Sequence, residues 1–165
     1  MISQKARYAL RALVALARAD DSMMIAEIAQ QQKIPRKFLE QILLDLKHHG
    51  IVASRRGRAG GYGLLMPPDQ ITFGRILRIV DGPIAPLPCL SRIAYRRCPD
   101  CKNEASCEIR RVFARVADSA RDILDRTTIA EAFAVSLPEA GSPDAGKRLR
   151  AKRATGAARK LFSAS

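Results

Sequence analysis

Cys89, Cys98, Cys101 and Cys107 are the chain's only cysteines, and all four fall within one nineteen-residue stretch. Their spacing, Cys-x8-Cys-x2-Cys-x5-Cys, lies in a segment broken by Pro83, Pro86, Pro88 and Pro99, which predicts a loop able to fold around a ligand. Deprotonated thiols are soft, strongly donating anions, so a set of four suits an iron–sulfur cluster, of 2Fe–2S or 4Fe–4S type, or tetrahedral zinc. The Cys98-x2-Cys101 pair is half of an ordinary zinc knuckle, and spacing alone does not choose the metal. Arg92, Arg96, Arg97 and Lys102 flank the thiols and are expected to offset their charge and depress their pKa, an environment that also suits a thiol redox sensor.

Two further groups of residues carry recognisable chemistry. Arg36, Lys37, Glu40 and Gln41 stand at the start of a helical pattern, where a helix-turn-helix presents its second helix to the major groove. Lys37 can donate to guanine or phosphate, Gln41 can pair with adenine, and Glu40 can accept from the cytosine amino group. Arg55, Arg56 and Arg58 surround a glycine-rich turn at 57–61, where guanidinium groups suit phosphate and a narrow minor groove. His48 and His49 end a helix and are read as helix-end stabilisers rather than metal ligands. There is no Gly-rich phosphate loop, Ser-His-Asp set or His-Glu-x-x-His sequence, so no enzyme is expected. A thiol oxidoreductase built on Cys98 and Cys101 would lack its usual βαβ setting.

The elements that must position these groups follow from periodicity. Ala6, Ala9, Leu10, Leu13, Val14 and Ala17 recur at helical spacing from Gln4 to Ala19. Ile25, Ile28 and Ala29 mark a second helix stopping near Lys33, with Met24 a poor cap. Ile34 and Pro35 open a third, whose apolar face is Phe38, Leu39, Ile42, Leu43 and Leu46, closed by Gly50. Residues 51–56 and 62–66 read as a hairpin, with Tyr62 packed beneath it and Met23 and Met24 as loop and core fillers. Thr72 caps a fourth helix ended by Gly82 and Pro83. From Ile109 to Leu124 apolar residues repeat at three and four along one long helix, whose narrow stripe calls for a partner helix. The expected fold is mainly α: a winged helix-turn-helix with a small β-hairpin wing and a long C-terminal dimerisation helix.

The expected organisation is a DNA-binding domain at 1–82, a cysteine-rich cluster-binding loop at 83–107, the dimerisation helix and a following short segment at 108–137, and a disordered basic tail at 138–165. The chain has 165 residues with 29 Lys and Arg against 16 Asp and Glu, a net charge of +13 that draws polyanions. Residues 1–137 alone carry +8 and the tail +5, so the basic excess does not depend on the tail. A charge-only nucleoid protein would share this excess but show no sequence preference. Aromatics are 5% with no Trp, leaving aliphatics to fill the core. No apolar run of membrane-spanning length and no signal-peptide pattern occurs, so a cytoplasmic protein without membrane association is expected. In a reducing cytosol clustered cysteines bind metal or do redox chemistry more often than they staple a fold.

The strings KARYALRAL from Lys5, IPRKFLEQIL from Ile34 and RRGRAGGYGL from Arg55 resemble the Rrf-type regulators, the family of IscR, NsrR and RirA, over about residues 1–135. The resemblance implies a homodimeric winged-helix transcription factor whose loop holds an iron–sulfur cluster and whose affinity for an operator depends on it. It also implies DNA contacts at Pro35, Lys37, Glu40, Gln41, Arg56 and Gly57, with Glu40 helping to choose between operator types. The loop departs from the pattern: the position of a family His ligand is Arg110, and that of an N-terminal Asp ligand is Arg7. Neither arginine can ligate iron, so the fourth cysteine is expected to complete an all-cysteine site within one subunit. The function expected is a transcriptional regulator, a repressor, sensing cluster, iron, nitric oxide or redox status, with a zinc-dependent or thiol-disulfide regulator as the alternative.

Overall fold

A computed structural model describes residues 2–19, 21–55, 57 and 60–134. Arg56 and Arg58 of the wing and the tail 138–165 lie outside them. Helix α1 (Gln4–Arg18) begins where Ser3 Oγ accepts from the Ala6 amide at 3.0 Å, and it runs through the middle of the core. Its buried side extends beyond the predicted stripe to Ala12, Ala15 and Leu16, because α2, α3, α4 and α6 all pack around it. Small alanines let those helices come close.

Helices α2 (Ile25–Gln32) and α3 (Arg36–His48) form the helix-turn-helix. Met24 offers no side-chain cap, as expected, and Glu27 compensates by accepting from the Met24 amide at 3.1 Å. The turn is closed by Lys33 in the left-handed region, with the Ile34 amide bonded to Ala29 O at 2.9 Å. Leu39, Ile42, Leu43 and Leu46 are fully buried. Phe38 is not: assigned to the apolar face, it is 40% exposed and meets Tyr8 edge-on with centroids 5.8 Å apart. Its ring lies at the margin of the α1–α3 contact. Met24 likewise faces solvent, whereas Met23 belongs to the core.

Strands β1 (Val52–Arg55) and β2 (Gly61–Leu64) pair antiparallel, with Val52 opposite Leu64 and Arg55 opposite Gly61. Tyr62 packs against the core and exchanges two backbone bonds with Met23, at 2.8 and 2.9 Å, which fastens the wing to the end of the first helical segment. Gly61 is required there, since a Cβ would lie 2.5 Å from Met23 O. Gly57, with φ +111°, turns the hairpin where an L side chain would be strained.

Helix α4 (Phe73–Val80) is capped by Thr72, whose Oγ1 accepts from the Arg75 amide at 3.2 Å. After a 3-10 turn at Pro88–Leu90 and an irregular segment comes α5 (Glu108–Arg126). A short helix α6 (Ile129–Ala134), which periodicity does not predict, folds back onto α1. The join is a bridge between Thr72 and Thr128, with Phe73 N bonded to Thr127 O at 2.9 Å and Ile129 N to Ile71 O at 2.8 Å. Ile129 is thereby fully buried in the same core as the helix-turn-helix.

Candidate nucleic-acid interface and cysteine loop

The first turns of α3 project Arg36, Lys37, Glu40 and Gln41 into solvent, beyond Pro35, which starts the helix with φ −57°. Proline is tolerated at this cap position, with ψ 126° outside the helix, because it has no amide that would need an acceptor. Arg36 Nε donates to Glu40 Oε1 at 3.2 Å, so the one carboxylate on this face is held by its neighbour one turn back. Both groups are largely exposed, which keeps the pair weak and exchangeable. Leu44, 41% exposed one turn beyond Glu40, adds an apolar group that charge alone does not point to.

One polar link sets the wing against this helix and a second ties it to the segment between α1 and α2. Lys47 Nζ donates to Ser54 Oγ at 2.7 Å, joining the end of α3 to β1. Arg55 Nη1 pairs with Asp21 Oδ1 at 3.3 Å, with both side chains exposed. Gly57 is exposed at the turn. His48 and His49 are exposed at the C-terminus of α3, where His49 Nδ1 lies 2.8 Å from Asp45 O. That contact fits helix-end stabilisation.

In the loop, Cys89 is buried, Cys98 exposed, and Cys101 and Cys107 lie between those extremes. Cys107 starts α5, its Sγ accepting from the Arg110 amide at 3.4 Å. The Cys101 thiol is held above its usual pKa, first by burial, then by the neighbouring Cys107 thiol, which also hydrogen-bonds with it, and by Cys98 and Glu104. For Cys101 this is opposite to the depression expected from flanking arginines, because burial and the neighbouring thiols outweigh them. Arg97 donates to the Cys101 and Lys102 carbonyls at 3.1 and 3.2 Å, and Arg92 pairs with Asp118 at 3.6 Å.

Arg110, in the first turn of α5, links that helix to the cysteine loop. Its Nη2 donates to Cys89 O at 3.4 Å, and its Nε faces Glu104 Oε2 at 3.5 Å. Glu104 also accepts from the Tyr95 hydroxyl. Arg7 is exposed on α1. Among the described residues no group of three His, Cys, Asp or Glu side chains stands in metal-binding geometry. The donor chemistry of the four thiols still suits a thiophilic metal.

No helix among the described residues is long and apolar enough to cross a membrane. A sequence profile of the Rrf2 family, described as an iron-dependent transcriptional regulator, matches residues 2–134. An rrf2-like HTH-type transcriptional regulator of Rhodobacter capsulatus is 50% identical over 145 residues, covering 85% of this chain and 97% of that one. Among solved structures, CymR, the global cysteine regulator of B. subtilis, superposes with a TM-score of 0.66 at 33% identity, covering 79% of this chain and 93% of that chain. IscR of T. potens superposes with a TM-score of 0.62 at 26% identity, covering 81% and 85% respectively. With its winged helix-turn-helix and its match across the whole described fold, the chain belongs to the Rrf2 family of transcriptional regulators and is not an enzyme.

Proposed function

We propose that this regulator is a cytoplasmic homodimeric repressor that reads a double-stranded operator with α3 and the wing and senses cluster, iron, nitric oxide or redox status through Cys89, Cys98, Cys101 and Cys107. The observation that carries the sensing is the double role of Cys107. It is a loop thiol in contact with Cys101, and its Sγ closes the first turn of α5. Chemistry at that sulfur therefore acts on the helix proposed to join two protomers. An iron–sulfur cluster bound there would supply a cross-link between thiolates that oxygen or nitric oxide can break. Arg110 and Arg7, at the places of other family ligands, support an all-cysteine set.

A second reading, a thiol-disulfide switch, is favoured by the Cys101–Cys107 contact and by similarity to CymR. Two thiols and one peroxide would give a disulfide and two waters, with no metal needed. The two readings separate on protein purified without oxygen, by its visible spectrum and by iron, sulfide and zinc assays on the same sample. Brown protein with iron and sulfide supports the cluster; colourless protein, metal-free even after anaerobic reconstitution, sinks it. Wild-type metal content and operator response in all four single Cys→Ala variants would end the sensing proposal altogether.

On the DNA side, Pro35, Arg36, Lys37, Glu40, Gln41, Arg55, Arg56, Gly57 and Arg58 are the proposed contacts. Lys37→Ala is expected to weaken binding to every sequence and to reduce the slope of log affinity against log salt by about 1. Glu40→Ala is expected instead to change base preference at one operator position by about 1–3 kcal/mol. Titrations across salt concentrations and across a randomised operator library read both. Unchanged preference in Glu40→Ala would remove that carboxylate from specificity.

A further inference from the structure

A cavity of about 200 Å3 opens between α4, the start of the cysteine loop and α5, lined by Arg78, Pro83, Ser91, Arg92, Arg121 and Asp125 among others. Three arginines from three separate segments line it, Arg92 the most exposed of them at 76%. Arg121 is the anchored one: only 15% of its side chain is exposed, and it donates to Leu90 O at 2.8 Å and to Asp118 Oδ1 at 2.6 Å. Arg78 donates to Asp125 Oδ1, and Arg92 pairs with Asp118. Among the described residues, each guanidinium makes fewer contacts than its five N–H groups allow. Asp125 is the one carboxylate in the wall, so the lining carries a net charge of +2 from three arginines and one aspartate. Ser91 is buried beside them, its Oγ accepting from the Ala94 amide at 2.9 Å, which leaves its own proton available to donate.

We propose that this cavity binds a small carboxylate or phosphate anion, held by the guanidinium groups of Arg78, Arg92 and Arg121 and the Ser91 hydroxyl. Guanidinium forks match both oxyanions in bidentate geometry, and partial burial strengthens the contact over an exposed one. The size selects a small ligand, since the cavity is below the roughly 300–1,000 Å3 that holds drug-sized molecules. Its walls give the ligand a consequence. Arg78 belongs to the winged domain's α4, Arg121 to α5, and Ser91 lies two residues from Cys89. A bound anion would tie these three segments together. The site uses none of the four thiols and none of the DNA-reading side chains, so it stands or fails apart from the cysteine reading.

The test is calorimetric titration of the full chain, in reducing buffer with ionic strength held constant by chloride, using inorganic phosphate and succinate as separate probes. Saturable binding of either is expected, and its preference between them names the class of anion. Arg78→Gln and Arg92→Gln should each raise the apparent Kd about tenfold, the loss of one charge-assisted contact. Lys37→Gln, on the proposed DNA face, should leave it unchanged. Asp125→Asn removes the competing carboxylate while preserving an acceptor for Arg78, and should tighten binding, a gain that mere disturbance of the fold would not produce. Heats equal to the chloride control, an arginine-independent Kd, or weakened binding in Asp125→Asn would overturn the proposal.

Discussion

Replacing Val116 and Ile123 together with glutamate is expected to leave a folded monomer and to lower operator affinity by about 10²–10⁴-fold, the loss of a linked second binding event. Along α5, Ile109, Val112, Val116 and Ile123 follow one another at steps of three, four and seven, and each is more than half exposed. Phe113 adds to the edge of the same stripe at 40%. Only Ala117 on this helix is fully buried, with Ala120 and Leu124 half-buried against the rest of the chain, so much of the apolar face of α5 is left uncovered by its own chain. A stripe of this spacing suits the seam of the proposed helix pair, where each large aliphatic fully buried would contribute about 1.5–3 kcal/mol. Glutamates at two seam positions in both copies would place like charges in a dry contact, whereas in the single chain both positions are more than half exposed. The fold should therefore survive. Sedimentation equilibrium and operator titration on the same protein check the two parts, and a double variant that remains dimeric would remove α5 from the interface.

Helix α5 is legible in the sequence because an apolar repeat at three and four, sustained from Ile109 to Leu124, keeps to one face only if the backbone is helical, and the same holds for α1 and α3. Single residues at the edges of those faces are not legible. Phe38 has the spacing of a core residue, but the third dimension turns it toward Tyr8 and solvent. Met23 and Met24 are indistinguishable by type, yet the β-bridge to Tyr62 draws one inward and leaves the other out. In the loop, the sequence shows the thiols and the arginines, and their proximity along the chain suggests that one set would charge the other. The backbone instead supplies carbonyls that occupy Arg97 and Arg110, and burial and neighbouring thiols govern Cys101. Helix α6 escapes the periodicity although it carries its own signal. Thr128 and Glu131 form a reciprocal capping box, with Glu131 Oε2 accepting from Thr128 N at 2.9 Å and Thr128 Oγ1 from Glu131 N at 3.2 Å. A six-residue helix is too short to show a repeat, so only the cap announces it.

The consequence of α6 is tested by Ile129→Ala, which is expected to destabilise the protein by about 2–5 kcal/mol, the range for emptying a fully buried aliphatic site. Ile129 is reached from the far end of α5, yet it packs in the core with α1, Leu39 and Ile76. Around it the backbone is committed: Ile71, Phe73, Thr127 and Ile129 share two hydrogen bonds, and the capping box fixes the next turn. Little room exists for the site to collapse onto a smaller side chain. A lower urea midpoint at unchanged m-value would register the loss as stability. Faster exchange of the Phe73 and Ile129 amides would locate it at the join. The position bears on the proposed signalling because α5 is then held at both ends. Cys107 and Arg110 fasten its first turn to the cysteine loop, and Ile129 fastens its last turn to the body that carries α3. A shift at the thiols would reach the recognition helix through one rigid element rather than through a flexible linker. If Ile129→Ala cost less than about 1 kcal/mol, comparable to an ordinary surface change, α5 would be hinged at its C-terminal end and that route would be lost.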